Sequence, residues 1–394
     1  MTPQARVQAA IQLLDAIIVA ARDGGAAADT LIARYFKTRR YAGSKDRRAV
    51  REWVYAAIRR CGERPESGRS AMIGLAREQP ELAALFDGTG HGPAPIAADE
   101  EGADASVLPT WLEPHLAEPV QAPSEQSALL TRAPLDLRVN SLKTDISAAK
   151  ALFPDAQTND AFPAFLRLAS DTAVEQSPEY RDGLIEIQDL GSQAIIAACE
   201  AKPGMTVVDL CAGAGGKTLG LAADMAGEGT LIAADTGRER LSRLPQRAER
   251  AGAAFIETVL LDPRREEEKL AALTGSADIV LIDAPCSGTG TWRRNPEARW
   301  RLTPERLARL AAEQARILDF AAPLVKSGGR LVYAVCALTD EEGKNQVDAF
   351  LSRHAGWKKV HFSFTIGRNH GEGRLLTPAH DGTDGFFFAA LHKS

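Results

Sequence analysis

Beyond Ser192, short apolar runs alternate with helical stretches, and this rhythm constrains the fold of the chain more strongly than any other feature. The runs are residues 207–210, 231–234, 256–261, 279–282 and 331–335, and residues 304–325 are one of the helical stretches between them. Uninterrupted apolar runs are typical of strands buried on both faces. Their alternation with helices predicts an α/β fold, a Rossmann-like, doubly wound parallel sheet.

In an open sheet of this kind the expected strand order is 3-2-1-4-5, and ligands bind outside the carboxyl ends of the strands, at the switch point between strands 1 and 4. Residues 384–391 include three consecutive phenylalanines and predict a last strand at the sheet edge. A binding site is therefore expected at the carboxyl side of the sheet.

The first 87 residues predict an all-α domain. Apolar residues recur there at helical spacing, and Ser44 is the expected N-cap of the third helix. The periodic positions are Val7, Ile11, Leu14 and Ile18, then Leu31 and Tyr35, then Val50, Val54 and Ile58. Residues 1–60 hold twelve Lys or Arg residues and five acidic residues, although the whole chain has a net charge of −5. A solvated charged face and a surface for RNA are both consistent with this local excess.

The middle of the chain predicts a linker and a second small domain. Residues 88–108 are rich in Gly, Pro, Ala and acidic residues, a composition typical of a flexible linker. Residues 109–190 predict a small α+β domain, with a helix starting at Trp111, strands at residues 135–139 and 184–188, and a helix at residues 146–152. The α/β domain then occupies residues 191–394.

Several protein classes are disfavoured by the sequence. Five scattered cysteines without CxxC pairing indicate neither a disulfide framework nor a zinc site, so no metal is expected. The chain has no apolar run of the length that spans a membrane and no signal-peptide pattern at its start. We therefore expect a cytoplasmic protein with reduced thiols and no membrane partner.

A glycine-rich turn follows the first strand of the predicted parallel sheet. It comprises Cys211, Ala212, Gly213, Ala214, Gly215, Gly216 and Lys217. Small residues let a ligand approach the backbone, and the acids that end the next two strands, Asp235 and Asp262, can bind ribose hydroxyls and an adenine edge. These residues predict a nucleoside pocket. The turn is not a Walker loop, because Cys211 stands where that motif requires Gly, and an NAD site remains compatible with the fold alone.

Two thiols and a carboxylate follow the fourth and fifth strands. Asp283 and Cys286 come after the fourth strand, and Cys336 comes after the fifth. Neighbouring strands lie about 4.8 Å apart, so these side chains are expected to face a common space. A single cysteine after an apolar run is more often a small core residue, but two at matching strand ends favour a nucleophile site.

The motifs around these residues resemble the Nol/Nop/Sun family of RNA (cytosine-5) methyltransferases, which use S-adenosylmethionine. The resemblance extends from residues 134–140 through residues 187–193 to residues 382–387, and its most specific part is DAPCSGTGTWRRNPE at residues 283–297. It implies methylation of C5 of a cytosine in RNA. A thiolate suits the attack on C6 that this reaction requires, and a carboxyl group at the N3 edge of the base would stabilise the developing charge.

The resemblance also implies individual roles. Cys336 would be the nucleophile, Cys286 would assist product release, and Asp283 would contact the base or the cofactor. The cofactor would lie against Cys211 to Lys217 and against Asp235, Asp262 and Asp283. The family's Thr-Cys-Ser reads Val335-Cys336-Ala337 here, and its Glu-Glu-Asn reads Glu341-Glu342-Gly343. Lost hydroxyls beside Cys336 lead to the hypothesis of slower turnover.

The N-terminal helices are similar to the NusB-like domain that precedes the catalytic unit in bacterial 16S rRNA methyltransferases of this family, and the α+β region resembles the family's RNA-recognition-like (RRM-like) insert. This similarity implies ribosomal RNA, free or in an early ribosomal particle, as the partner and a role in rRNA processing. The implied RNA-binding residues are Lys45, Arg47, Arg48, Arg51, Arg293 and Arg294. A tRNA or DNA cytosine methyltransferase and a catalytically weakened RNA-binding assembly factor are the alternatives.

Overall fold

In the computed structural model, which describes residues 1–394, the chain divides into two units. The helical unit comprises Met1–Thr131 and Thr291–Pro304, and the sheet unit comprises Arg132–Gly290 and Glu305–Ser394. This division differs from the expected boundaries. The predicted α+β region is shared between the two units, and a short segment from the middle of the predicted α/β domain belongs to the helical unit.

The helical unit is a bundle around α1. Its helices are α1 Pro3–Asp23, α2 Ala28–Lys37, α3 Ser44–Arg60, α4 Gly68–Ala76, α5 Pro80–Ala83 and α6 Pro123–Ala128, with 3₁₀ turns at Thr110–His115, Glu118–Gln121 and Pro296–Arg301. Helix α1 is long and apolar enough to cross a membrane, but its apolar side chains form the core of this bundle. A Cβ on Gly68 would lie 2.2 Å from the Ile11 carbonyl oxygen, so α4 approaches α1 as closely as backbones allow. The N-cap of α3 is Gly43, and Ser44 is its first helical residue rather than its cap.

Residues 88–108 contain no helix or strand, but they lie along the helices of their own unit rather than forming a free linker. The Ala103 amide donates to the Ser70 carbonyl oxygen at 2.9 Å, and the Gly62 amide donates to Ser106 Oγ at 3.0 Å. Arg69 forms an ion pair with Glu100. These partners lie more than thirty residues away along the chain, so composition gave no sign of them.

Residues 291–304 are a structural part of the helical unit. Arg299 is fully buried and donates to the Ile58 carbonyl oxygen at 2.6 Å, and Trp300 Nε1 donates to the Cys61 carbonyl oxygen at 2.8 Å. Arg299 thereby adds a second donor to a carbonyl group in the last turn of α3, which also accepts the Cys61 amide at 3.2 Å. Burial lowers the pKa of Arg299 to about 10. The segment that follows the Pro-Cys motif thus completes the core of the helical bundle.

The sheet unit contains two sheets. Its elements are β1 Leu135–Val139, α7 Ile146–Leu152, β2 Phe165–Leu168, α8 Pro178–Arg181, β3 Ile185–Ile187, α9 Leu190–Cys199, β4 Thr206–Leu210, α10 Gly216–Asp224, β5 Thr230–Asp235, α11 Arg238–Leu241, α12 Leu244–Ala251, β6 Glu257–Leu260, α13 Glu266–Leu270, β7 Ala277–Asp283, α14 Pro304–Ala321, β8 Val325–Val335, α15 Lys344–Arg353, β9 Trp357–Lys359, β10 Arg368–His370, β11 Gly373–Leu376, α16 Pro378–Asp381 and β12 Phe386–Lys393, with 3₁₀ turns at Val174–Gln176, Ala271–Leu273, Thr289–Thr291 and Ala322–Leu324. The small sheet is antiparallel with the order β2-β1-β3. Its strand β2 was not expected from the sequence.

The large sheet has the order β10-β11-β12-β8-β7-β4-β5-β6, with β9 paired to β12. Strands β6, β5, β4, β7 and β8 are parallel and follow the expected order 3-2-1-4-5. The prediction that the last strand lies at the edge is wrong, because β12 runs antiparallel between β8 and β11. Its residues 386–391 are all buried, as an interior strand requires.

Candidate active site

The carboxyl ends of the parallel strands border a cavity of about 620 Å³. Predicted site residues in its wall are Cys211, Ala212, Gly213, Ala214, Gly216, Lys217, Asp235, Asp283, Cys286 and Cys336. Gly215 and Asp262 are not part of this wall. Asp262 is exposed, and its neighbour Leu261 lines the cavity instead. The structure therefore brings most of the predicted residues together in the cavity wall, but Asp262, the acid after the third parallel strand, lies outside it.

The glycine-rich turn presents backbone to the cavity. Gly213 and Gly215 have positive φ angles of 58° and 82°. A Cβ on Gly215 would lie 2.1 Å from Leu244 Cδ1, so this glycine lets the turn pack against α12. A Cβ on Gly216 would meet nothing nearer than 3.9 Å. Gly216 thus leaves open space at the start of α10, where backbone amides point toward a bound group.

Asp235 closes one end of the cavity. It is 2% exposed, and its carboxylate accepts the Gly213 amide at 2.7 Å and Arg240 Nη2 at 3.2 Å. The Gly237 amide donates to the same carboxylate. Three donors hold the carboxylate in place at the end of β5, and its remaining lone pairs are available for ribose hydroxyls.

An ion pair crosses the centre of the cavity wall. Lys217 Nζ lies 2.6 Å from Asp283 Oδ2. Burial alone would lower the pKa of Lys217, but the charge of Asp283 and their hydrogen bond outweigh it and raise that pKa above its ordinary value. Lys217 therefore remains an ammonium group beside the two thiols.

Asp209 is a buried acid behind the turn. Thr218 Oγ1 donates to its Oδ2 at 2.6 Å, whereas its Oδ1 has no hydrogen-bond partner. Burial, together with the negative charges of Asp283 and Asp235, raises the pKa of Asp209 to about 7. Asp209 was not among the residues expected at the site, and it supports the turn from behind rather than lining the cavity.

The two thiols meet at the ends of β7 and β8. Cys286 Sγ lies 3.3 Å from Cys336 Sγ. Their loops are tied together, because the Gly290 amide donates to the Cys336 carbonyl oxygen at 3.0 Å and the Leu338 amide donates to Thr289 Oγ1 at 2.7 Å. The contact with Cys336 and burial raise the pKa of Cys286 well above its ordinary value. Cys286 is therefore held as a thiol next to a second sulfur.

The chain is similar to proteins of known family and structure. A family model described as "16S rRNA methyltransferase RsmB/F" matches residues 196–392, half of the chain. The "Ribosomal RNA small subunit methyltransferase B" of Escherichia coli O139:H28 is 32% identical over 330 residues, which cover 81% of this chain and 75% of that protein. The chain belongs to the RsmB/F methyltransferase family.

Other relatives agree with this assignment to the RsmB/F family. The "Probable ribosomal RNA small subunit methyltransferase B" of Synechocystis is 36% identical over 270 residues, which cover 66% of this chain and 60% of that relative. A "Methyltransferase Homolog Protein" from Pyrococcus horikoshii has a TM-score of 0.60 at 25% identity and covers 72% of this chain and 93% of that one. NSun6 from Pyrococcus horikoshii, solved with SFG, has a TM-score of 0.66 at 19% identity and covers 72% and 98%, which shows a shared fold.

S-adenosylmethionine is the cofactor of this RsmB/F methyltransferase, and the cavity suits it. The Asp235 carboxylate can accept hydroxyl groups, and the open space at Gly216 lets a ligand reach the backbone of the turn. Carboxylates at the ends of β5 and β7 also suit the cationic groups of this molecule. The cavity is large enough for a nucleoside and an acceptor group side by side.

Helix α14 supplies a wall that was not predicted from the sequence. Its residues Arg306, Leu310, Glu313, Ile317 and Phe320 line the cavity at spacings of three and four residues, which place them on one helical face. Glu266, also in the wall, is paired with Arg316 of this helix at 2.6 Å. The spacing itself could be read from the sequence, but nothing in it indicated that this face turns toward a cavity.

The residues expected to bind RNA are in the helical unit. Lys45, Arg47, Arg48 and Arg51 are exposed on α3. Arg47, Arg48 and Arg51 border a groove of about 490 Å³ between α2 and α3, together with Lys37. Arg294 is exposed, whereas Arg293 is buried.

Proposed function

We propose that the protein methylates C5 of a cytosine in RNA, with 16S rRNA, free or in an early ribosomal particle, as its substrate. The observation that carries this proposal is the pair of thiols 3.3 Å apart beside the Lys217–Asp283 ion pair. A methyltransferase that acts on an oxygen or nitrogen atom needs no thiol, because such atoms are already nucleophilic. Methylation of an unreactive ring carbon needs covalent activation of the base.

Cys336 is the proposed nucleophile. Its sulfur forms a bond to C6 of the cytosine, and the electron pair displaced from the C5–C6 bond makes C5 nucleophilic. The Lys217 ammonium lies in the same cavity wall as Cys336. S-adenosylmethionine supplies the methyl group that C5 takes up. Asp283, held by Lys217, is the proposed contact to the base or to the cofactor.

Cys286 is the proposed release residue. After C5 is methylated, the C5 proton must leave so that the C5–C6 double bond re-forms and the bond from C6 to the Cys336 sulfur breaks. The Cys286 thiol lies 3.3 Å from that sulfur and can give it a proton as it departs. The C5 proton passes to water, and the Cys286 thiolate that remains regains a proton from solvent.

The cofactor is proposed to lie along the turn from Cys211 to Lys217 and against Asp235. The exposed cations of α3 are proposed to contact RNA phosphates, which would make binding weaker as salt concentration rises. Methyl transfer from labelled cofactor to unmodified 16S rRNA, tRNA and duplex DNA would test the substrate, and transfer to 16S rRNA is the expected result.

Adduct formation on RNA that contains 5-fluorocytosine tests the roles of the thiols. Fluorine at C5 cannot leave as a proton does, so an enzyme that uses this chemistry stays covalently attached. Cys336→Ala is expected to abolish the adduct and to lower methylation by at least about a thousandfold, because the nucleophile is lost. Cys286→Ala is expected to form the adduct and to accumulate it even on ordinary cytosine. Denaturing gels and single-turnover assays measure both results. Adduct on Cys336→Ala, or none on Cys286→Ala, contradicts the assignment.

A further inference from the structure

Glu342 is a fully buried carboxylate that lies between the two thiol loops. Its Oε1 accepts the amide of Ser287, the residue after Cys286, at 2.7 Å. Its Oε2 accepts Thr339 Oγ1, from the loop that follows Cys336, at 2.8 Å. A single side chain therefore holds both loops.

The same carboxylate is fixed from a third side. Gln314 Nε2, on α14, donates to Glu342 Oε1 at 3.0 Å and to the Pro285 carbonyl oxygen at 2.9 Å. The backbone of Glu342 is held as well, because Tyr333 OH donates to its carbonyl oxygen at 2.7 Å. No Lys or Arg is within salt-bridge distance of this carboxylate, so three neutral donors stabilise its negative charge.

We propose that Glu342 is a positioning residue that makes the two thiols different: it holds the Cys286 loop against the Cys336 loop and places a fixed negative charge beside Cys286. This inference deepens the proposed function and rests on it for the roles of the thiols. A negative charge one peptide unit away disfavours a Cys286 thiolate. Cys286 is then the thiol that keeps its proton, and Cys336 is left as the nucleophile.

The surroundings of Cys286 agree with this division. Cys336 and burial are the largest causes of its raised pKa, and the charge of Glu342 adds to them. The other titratable groups around the thiols are Tyr333, Lys217, Asp283, Cys211, Asp235, Arg240, Glu266, Arg306, Glu313 and Arg316. The Lys217 ammonium is the cation whose charge interacts with Cys336, so the cation acts on one thiol and the buried carboxylate on the other.

Alkylation of the full-length protein by iodoacetamide at a series of pH values tests this inference without RNA or cofactor. Mass spectrometry of the peptides gives a separate rate for each thiol. In the unsubstituted protein Cys336 is expected to react faster than Cys286 at pH 7.5. Equal rates, or a faster Cys286, overturn the proposal, and this measurement does not depend on the folding of any variant.

Glu342→Gln removes the charge and keeps a side chain of the same shape, whose oxygen can still accept the Ser287 amide. It is expected to move the pH midpoint of Cys286 alkylation downward by about one unit, so that Cys286 reacts roughly tenfold faster at pH 7.5. Thr339→Val removes one hydrogen bond but keeps the charge, and it is expected to give no such acceleration. A Cys286 profile in folded Glu342→Gln that matches the unsubstituted protein overturns the proposal.

Glu186→Gln is the matched control, because Glu186 is a buried carboxylate of the same unit that pairs with Arg247 and Arg250 rather than with the thiol loops. It is expected to leave the Cys286 profile unchanged, and an equal shift in this control overturns the proposal. The adduct test separates the two proposals: an adduct on Cys336 together with unaltered alkylation in Glu342→Gln would leave the proposed function standing and remove only the role of Glu342.

Discussion

The two sides of the cavity are built by different means. The side at the ends of β4 and β5, here the cofactor side, uses backbone and charge: a glycine-rich turn and the Asp235 carboxylate line the cavity, and the buried Asp209 lies behind the turn. The side at the ends of β7 and β8, the acceptor side, uses hydrogen bonds that join two loops at the Glu342 carboxylate, together with the Lys217–Asp283 ion pair. The stability that the cofactor side contributes should respond most to pH, through Asp209, and the stability that the acceptor side contributes should respond most to changes of volume.

Asp209→Asn gives the largest expected effect, on the cofactor side. The pKa of Asp209 is raised to about 7 in the folded protein, against an ordinary value near 3.8. Between these values the unfolded chain loses a proton that the folded chain keeps, so this group's contribution to stability is present at low pH and is lost as pH rises. The loss is about 1.4 kcal/mol per pH unit, on the order of 4 kcal/mol in total. Asparagine does not titrate, so the variant does not lose stability in this way. Urea unfolding should therefore show Asp209→Asn gaining stability relative to the unsubstituted protein from pH 5 to pH 8.

Asp235→Asn is the control for that measurement. Its carboxylate accepts three donors, so the substitution is expected to cost about 1–3 kcal/mol rather than to stabilise. The free energies of unfolding of Asp209→Asn and the unsubstituted protein could instead change in parallel between pH 5 and pH 8. Folding would then not raise the pKa of Asp209, and the two sides would not differ in charge.

Gly290→Ala gives the next largest effect, on the acceptor side. An added Cβ would lie 1.9 Å from the Gly385 carbonyl oxygen, a backbone atom that cannot turn away. The Cys286 loop must then move away from the segment before β12, and the expected cost is about 1–3 kcal/mol in unfolding free energy, with a fall in methylation. Gly216→Ala is the matched change on the cofactor side, where nothing lies within 3.9 Å. It should leave stability unchanged or raise it by about 0.4–1 kcal/mol but weaken cofactor binding in calorimetry. Equal free energies of unfolding for Gly290→Ala and Gly216→Ala would contradict the expected difference between the two sides of the cavity.

The same contrast explains what could be predicted from the sequence. The cofactor side is local: the glycine-rich turn and Asp235 lie within about thirty residues of each other, and the strand–helix rhythm fixed the order of the strands around them. The acceptor side depends on contacts between distant segments. Glu342 binds an amide 55 residues earlier in the chain. The helical unit depends on distant contacts as well, since Arg299 binds a carbonyl group 241 residues earlier. The spacing of apolar residues indicates which residues share a face of one helix or strand, so it could not indicate partners from distant segments.

Val335→Thr gives the smallest effect on activity and tests the hypothesis that a missing hydroxyl slows Cys336. Side chains alternate along a strand, and Cys336 packs on the same side as Ala334, against a core cluster that does not contain Val335. A hydroxyl at position 335 would therefore point away from the thiol. We expect Val335→Thr to cost about 1–3 kcal/mol, because it buries a hydroxyl at a fully buried position, and to change the single-turnover rate by less than about twofold. Ala337→Ser is the companion variant that restores the other hydroxyl. A tenfold gain in the single-turnover rate of Val335→Thr would mean that a hydroxyl at this position affects Cys336 although it points away from the thiol.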